Sequence, residues 1–163
     1  MSSDFLHNKK WISGSGDETP FKEVRQIIKE KNIKGYNIFI GSDSFISGGR
    51  VCFATAVCLH SSGQGSRYFF YKEKKPAKMF SQLSARILEE ARRSVELAEY
   101  FITKSTCVAS DIELHLDVSP FHKNEKTSKF SEMLKGYVQG YGFECKLKPN
   151  AWASQSVADK HSK

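Results

Sequence analysis

The amino-acid sequence predicts an α/β fold with a five-stranded mixed sheet, in which three antiparallel strands are followed by two parallel ones. Helices flank this sheet and an extra N-terminal helix precedes it. Strand-like segments separated by turn residues come first, and helix-like and strand-like segments alternate after them. Because crossovers between parallel strands are right-handed, the long helix after the third strand should place the fourth strand parallel to the first.

The N-terminal region divides at about residue 19. Residues 1–18 contain glycine, serine and aspartate without periodicity, which predicts an irregular arm in which Trp11 packs against the body. Residues 19–163 contain no internal repeat and no linker, so they are predicted to form a single domain. This domain begins with a helix, because Pro20 suits the first helical position and the following apolar spacing is helical as far as Lys31.

Three strands are predicted next, at residues 36–44, 51–60 and 67–73, where β-branched and aromatic residues are frequent. The turns between them are short and rich in glycine and serine, at residues 47–49 and 61–66. Short turns of this kind join neighbouring antiparallel strands, so the three segments should form a meander.

The second half of the chain alternates between the two periodicities. Apolar residues at helical spacing predict a long helix over residues 77–103 and a shorter helix over 127–140. Strict alternation predicts the fourth strand at 112–118, and a fifth strand follows at 143–148. A short helical tail is predicted over 151–161.

The chain is basic, with 25 Lys and Arg residues against 18 Asp and Glu residues, a net charge of +7 and a pI near 9.2. A positive net charge favours association with a polyanion such as nucleic acid. Many basic domains bind no polyanion, so the charge alone is weak support for nucleic-acid binding.

The cysteines and the apolar segments indicate the cellular setting. The four cysteines lack the CxxC or Cys/His spacing of a zinc site and are predicted to be reduced thiols, mostly buried. No apolar run has the length of a membrane span, and residues 1–10 are polar with mixed charge. We therefore expect a cytoplasmic protein that does not associate with a membrane.

Acidic residues stand at the ends of two predicted strands. Asp43 ends the first strand and Asp117 lies at the end of the fourth. If these strands are parallel neighbours, their carboxyl ends meet at the same edge of the sheet. Carboxylate oxygens are the ligands that Mg²⁺ and Mn²⁺ prefer, and such ions keep positions free for water and substrate phosphate.

A further carboxylate is expected from the long helix, which offers Glu89, Glu90 and Glu96. At 100° per residue, Glu90 lies about 60° from Ile87 at the centre of the apolar face, whereas Glu89 lies about 160° away and Glu96 about 180° away. Glu90 is therefore the best placed of the three, and the other two are predicted to be solvated. Taken singly, each of these acidic residues is more often a cap or a turn residue than a ligand.

The acidic set Asp43, Glu90, Asp117 and Asp159 resembles that of ribonuclease H-like enzymes in order and structural context. More narrowly, the segments IGSDS, RILEE, HLDVS, NEKTSKF and KLKPNAWAS are similar to the bacterial and phage ribonuclease H-like family labelled YkuK. Within its RxxxE pattern, Arg86 and Glu90 match. The resemblance implies a ribonuclease H-like fold for the chain.

The resemblance also implies catalytic roles for the acidic residues. In ribonuclease H-like catalysis, two divalent ions, Mg²⁺ or Mn²⁺, act on the scissile phosphate. By this resemblance Asp43 is expected to bridge the ions, Glu90 and Asp117 to flank it as metal ligands, and Asp159 to hold the second ion.

Candidate nucleic-acid contacts lie near the same edge. Lys146, Lys148 and Lys160 are expected to meet phosphates, and Trp152 to stack on a base. Solvated lysines and a packed tryptophan are equally plausible. His115 shares a strand face with Asp117 and is either a partner that orients that carboxylate or, more often for such residues, a hydrogen-bonded structural histidine.

The leading functional hypothesis is a metal-dependent nuclease acting on RNA, on an RNA/DNA hybrid or on structured DNA. One alternative is a ribonuclease H-like nucleic-acid-binding module with weak or no catalysis. Another is a regulatory protein that acts through protein contacts. Monomer and dimer both remain open.

Overall fold

The computed structural model describes residues 4–105, 107–118, 130–147 and 150–163. Within them, the helices are α1 (Asp4–His7), α2 (Phe21–Ile33), α3 (Leu83–Lys104), α4 (Ser131–Gly140) and α5 (Asp159–Ser162). The strands are β1 (Ile12–Ser13), β2 (Asn37–Ser47), β3 (Arg50–Ser61), β4 (Gly65–Pro76), β5 (Ile112–His115) and β6 (Glu144–Lys146). Short 3-10 turns occupy Ala77–Phe80 and Ala109–Asp111, and a π-helical turn, Ala153–Ala158, leads into α5.

The strands form one mixed sheet in the order β1-β4-β3-β2-β5-β6. β3 is antiparallel to both β2 and β4, whereas β5 is parallel to both β2 and β6, which confirms the predicted order of antiparallel and parallel strands. The described residues contain six strands rather than five, because Ile12 and Ser13 pair with Phe70 and Phe69 as β1. A two-residue strand is too short to show the alternation that identifies strands in a sequence.

The segment before residue 19, predicted as an irregular arm, contains α1 and β1 and packs on the body of the protein. Trp11 is fully buried. Its ring stacks on Phe21 with centroids 5.1 Å apart and meets Tyr71 edge-on at 4.8 Å. The indole N–H donates a hydrogen bond to the carbonyl oxygen of Leu6 at 2.9 Å. The arm therefore joins the main core through its tryptophan.

Both faces of the sheet are covered. On one face the main core includes Ile40 of β2 and Val95 of α3. On the other face a smaller cluster joins Ala56 and Phe70 of the sheet to Ala158 beside α5. The predicted long helix is present as α3, preceded by the 3-10 turn, and the extra N-terminal helix is present as α2.

The tight turn between β2 and β3 sets the register of the meander. Gly48 and Gly49 have φ values of 58° and 75°, as a two-residue type I′ hairpin requires. The turn pairs Ser47 with Arg50 and fixes every partner further along the ladder. A side chain at either glycine would strain this conformation.

Several predicted boundaries differ from the observed ones, and two of them concern the second half of the chain. The fourth strand was predicted over 112–118, but β5 ends at His115, so Asp117 follows the strand rather than lying within it. The helix predicted from residue 127 is α4, which begins at Ser131, and residues 127–129 lie outside the described residues.

The four cysteines are free thiols, with Cys58 and Cys107 buried and Cys52 and Cys145 half-buried. Burial raises the pKa of the Cys58 thiol to about 12.

In the described part of the chain, no helix combines the length and the apolar character needed to cross a membrane.

Candidate metal centre

Asp43 lies on the face of β2 that is turned away from α3. Its neighbours Ser42 and Ser44 face α3, where their hydroxyls bond to Ser94 at 2.9 Å and to Glu90 at 2.5 Å. Because side chains alternate along a strand, Asp43 points to the opposite face. The Asp43 side chain is buried there, with only 6% of the residue exposed.

Three elements bring carboxyl groups together around Asp43. The Asp43 carboxyl has hydrogen-bonding contacts with Asp117, after β5, and with Asp159, at the start of α5. Burial, the negative charge of Asp117 and these contacts raise the pKa of Asp43 to about 7, against the opposing effect of the Ser162 hydroxyl. Asp43 is therefore the centre of a crowded acidic cluster.

Glu90 adds a carboxylate from α3, on the other side of the cluster. It is 8% exposed, and it lines a small cavity together with Asp117. Burial and the negative charge of Asp43 raise its pKa well above the usual range, although the hydrogen bond from Ser44 acts in the opposite direction. The two strand-derived aspartates and this glutamate thus interact electrostatically with one another.

The C-terminal helix is anchored to the sheet beside Asp43. The His161 ring stacks on Phe70, with centroids 3.7 Å apart, and shares a hydrogen bond of 2.9 Å with the Tyr68 hydroxyl. Ser162 Oγ donates a hydrogen bond to Asp43 Oδ2 at 3.1 Å. The Lys163 ammonium pairs with Asp159 Oδ1 at 3.1 Å. Sequence reasoning missed Ser162 and Lys163, and only the spacing of Asp159 and Lys163, four residues apart on a helix, could have indicated the ion pair.

The donor chemistry of the cluster fits a hard divalent cation, because every candidate ligand is a carboxylate. Among the described residues, no group of three or more His, Cys, Asp and Glu side chains could hold a metal ion as placed. A Mg²⁺ site needs only one or two carboxylates when water and substrate phosphate complete the coordination. Asp43 and Asp117, whose carboxyls are in contact, fit such a site.

The family comparison agrees with this arrangement. A family model described as "Ribonuclease H-like" matches residues 19–163. The chain belongs to the ribonuclease H-like family. It is 23% identical over 155 residues to the "Uncharacterized protein YkuK" of Bacillus subtilis (strain 168), a match that covers 87% of this chain and 88% of that relative. The sequence-based resemblance is thereby confirmed.

Two glutamates of this ribonuclease H-like chain are less exposed than predicted. Glu89 and Glu96 were expected to be solvated, yet their side chains are only 14% and 11% exposed. Arg92 bonds to Glu89 at 2.7 Å and to Glu96 at 2.8 Å, and the buried Arg93 bonds to Glu89 at 2.8 Å. Two consecutive arginines therefore hold these carboxylates against the protein surface.

The predicted nucleic-acid contacts lie on separate elements of the ribonuclease H-like fold. Lys146 in β6 and Lys160 in α5 are exposed, and Lys148 lies outside the described residues. Trp152 is partly buried, with its ring centroid 5.0 Å from that of Phe39 and 5.4 Å from that of His115. The tryptophan thus packs on the sheet.

His115 connects the C-terminal turn to β5. Its Nδ1 accepts a hydrogen bond of 2.9 Å from the backbone N–H of Ala153, so the ring proton lies on Nε2, which donates to Glu113 at 2.8 Å. Burial lowers the pKa of His115 despite the carboxylate of Glu113. These contacts favour the structural interpretation of this histidine over a role in orienting Asp117.

Proposed function

We propose that this ribonuclease H-like protein is a nuclease that hydrolyses phosphodiester bonds of nucleic acid with the help of Mg²⁺ or Mn²⁺. The observation that carries this proposal is the convergence of Asp43, Glu90 and Asp117 from three separate elements. Burial and neighbouring negative charges raise the pKa of Asp43 and of Glu90, which costs the folded protein stability, and such groups are concentrated at functional sites. A divalent cation would remove this cost.

In this proposal Asp43 and Asp117 would hold the cation, Glu90 would supply a further carboxylate from α3, and Asp159 would hold a second cation. When bound, such cations withdraw charge from the scissile phosphate and make a nearby water molecule more acidic. The chain's own hydroxyls orient the ligands, because Ser162 bonds to Oδ2 of Asp43 and Ser44 bonds to Oε2 of Glu90.

We also propose Arg86 as a contact for a phosphate of the substrate. Its positive charge partly offsets the raised pKa of Glu90, so the two side chains lie within electrostatic reach of each other. The Nε atom of Arg86 is buried and has no hydrogen-bond partner among the described residues. A buried unpaired donor is costly, and a phosphate oxygen of the substrate would satisfy it.

Two observations favour a second candidate, a nucleic-acid-binding module without efficient catalysis. Asp159 already pairs with Lys163, and the described carboxylates do not form a closed group of three ligands. A protein that lacks the second cation would retain the fold and the net positive charge but would cleave poorly.

Cleavage assays separate the two candidates. Labelled single-stranded RNA, RNA/DNA hybrid, duplex DNA and branched DNA would be incubated with Mg²⁺, Mn²⁺ or EDTA. The nuclease proposal expects metal-dependent cleavage that is lost in Asp43→Asn and in Asp117→Asn, while both variants still bind the substrate. Binding without cleavage of any substrate would overturn the nuclease and support the binding module.

A further inference from the structure

A groove with a basic lining lies beside the acidic cluster. Its volume is about 300 Å³. Its lining includes Phe45, Arg50, Lys72, Lys74 and Lys163, and we call it the basic groove. None of these residues belongs to the set predicted from the sequence to contact nucleic acid.

The sheet register places the basic groove on the same face as Asp43. Asp43 pairs with Ala54, which pairs with Lys72, so the three form one row across β2, β3 and β4. Strands are separated by about 4.8 Å, which puts the backbone of Lys72 about 10 Å from that of Asp43. Side chains in one row across a sheet share a face, so the Lys72 side chain lies on the same face of the sheet as Asp43.

The next row continues the groove away from the acidic cluster. Phe45 pairs with Cys52, which pairs with Lys74. This row is two residues further along each strand, or about 7 Å. Arg50 lies one row beyond, where the hairpin turn pairs it with Ser47. The cations therefore form a track that leads away from Asp43 along one face of the sheet.

The charges of this track are available to an anion. Lys72, Lys74 and Arg50 are exposed, and within the described residues none of the three forms an ion pair. No acidic side chain is among the described residues that line the groove. A groove with this lining favours a chain of phosphates over a neutral or cationic ligand.

Phe45 gives the groove a second feature. Phe45 is a large apolar residue that lies beside the cations, and 42% of it is exposed. Aromatic rings next to a basic track stack on nucleobases, and they can do so only where the bases are unpaired. A duplex keeps its bases stacked on one another, so the ring indicates a single strand.

We propose that the basic groove binds a single-stranded segment of nucleic acid and leads it to the acidic cluster. Lys72, Lys74 and Arg50 contact its phosphates and Phe45 stacks on one base. This inference names the substrate class of the site and rests on the proposed function.

The test is binding of 5'-fluorescein-labelled oligouridine, oligodeoxythymidine and a duplex of the same length, measured by fluorescence anisotropy in EDTA so that no cleavage occurs. The groove variant is Lys72→Gln with Lys74→Gln. The matched control is Lys22→Gln with Lys29→Gln, which removes the same charge from exposed positions of α2. Thermal unfolding of each variant checks that it is folded.

We expect the wild type to bind the single strands more tightly than the duplex. The groove variant should raise Kd about tenfold at 0.1 M salt and reduce the slope of log Kd against log salt by about 1.4, because each phosphate contact to a single strand contributes about 0.7. The α2 control should change Kd less than about twofold. Phe45→Ala should weaken binding about tenfold, and Phe45→Tyr should restore it.

Equal effects of the groove variant and the α2 control, or tighter binding of the duplex, would overturn the groove assignment. Metal-dependent cleavage would then still stand as evidence for the nuclease. Conversely, loss of binding in the groove variant without cleavage by the wild type would support the groove and overturn the nuclease.

Discussion

Ser162 donates a hydrogen bond of 3.1 Å to Asp43, a residue 119 positions earlier in the chain. The contact joins the last helix to the central strand at the acidic cluster. It also lowers the pKa of Asp43, in opposition to burial and to the neighbouring carboxyls. The position of α5 and the charge of Asp43 are therefore coupled.

Ser162→Ala removes this contact and leaves Asp43 Oδ2 without its hydroxyl partner. The free energy of unfolding should fall by about 1–3 kcal/mol, the usual cost of a buried polar atom without a partner. Urea denaturation in EDTA at pH 7 measures the change. Ser62→Ala, at an exposed turn position, is the control and should have no effect. Equal stability of the two variants would show that Ser162 does not hold α5 in place.

Asp43→Asn should stabilise the protein at pH 8 in the absence of metal. The folded-state pKa of Asp43, about 7, lies above the ordinary value of 3.8, so the wild type loses stability as the pH rises between these values. Because a tenfold change in proton affinity corresponds to about 1.4 kcal/mol, the variant should gain on the order of 2–4 kcal/mol at pH 8 and nothing near pH 4. Thermal and urea unfolding at both pH values measure the difference. A variant less stable than the wild type at pH 8 would contradict the crowding of carboxyls around Asp43.

Mg²⁺ or Mn²⁺ should stabilise the wild type at pH 8, because a cation that binds only the folded protein shifts the unfolding equilibrium. At a cation concentration 100 times Kd, the gain should be about 2.7 kcal/mol. The gain in the free energy of unfolding should vanish in the double variant that carries both Asp43→Asn and Asp117→Asn. Calorimetric unfolding with and without the cation measures it, and an equal gain in the double variant would place the ion elsewhere.

Glu73 should make the free energy of unfolding depend on pH in the acidic range. Burial raises its pKa, but hydrogen bonds from Lys9 and Arg93 outweigh that effect, and the pKa lies at about 2 against an ordinary 4.5. Its contribution is present above pH 4.5 and is lost as the pH falls towards 2. Glu73→Gln should therefore cost about 2–3 kcal/mol at pH 7 and much less near pH 2. Urea unfolding at both pH values tests this, with exposed Glu144→Gln as the control. A cost that is the same at both pH values would show that the charge of Glu73 is unimportant.

The sequence predicted the acidic cluster because its members follow from the order of the strands and from the spacing of residues along one helix. Asp43 and Asp117 follow from the order of strands, since β2 and β5 are parallel neighbours. Glu90 follows from helical spacing relative to Ile87, which is buried on the face of α3 that packs in the main core. Whether these carboxylates bind a metal ion remains a prediction.

The basic groove could not be predicted from the sequence, because the pairing between strands brings its residues together. Lys72 and Lys74 join Asp43 only through the register of β2, β3 and β4, and that register is set by the hairpin turns. Alternation shows which residues of one strand share a face, but it does not show which residues of the next strand lie opposite them. The burial of Glu89 was missed for a similar reason, because it depends on the side chains of Arg92 and Arg93.

The short strand β1 protects an edge of the sheet. Its two residues cover β4 at Phe69 and Phe70, and the adjacent Trp11 covers Phe21 and Tyr71. The family model begins at residue 19, so it leaves out β1 and Trp11. A recombinant fragment trimmed to the matched span would leave unpaired backbone groups beside uncovered aromatic rings, which is a template for intermolecular strand addition. We therefore expect such a fragment to aggregate more readily than the 163-residue chain, in which residues 11–13 cover this edge.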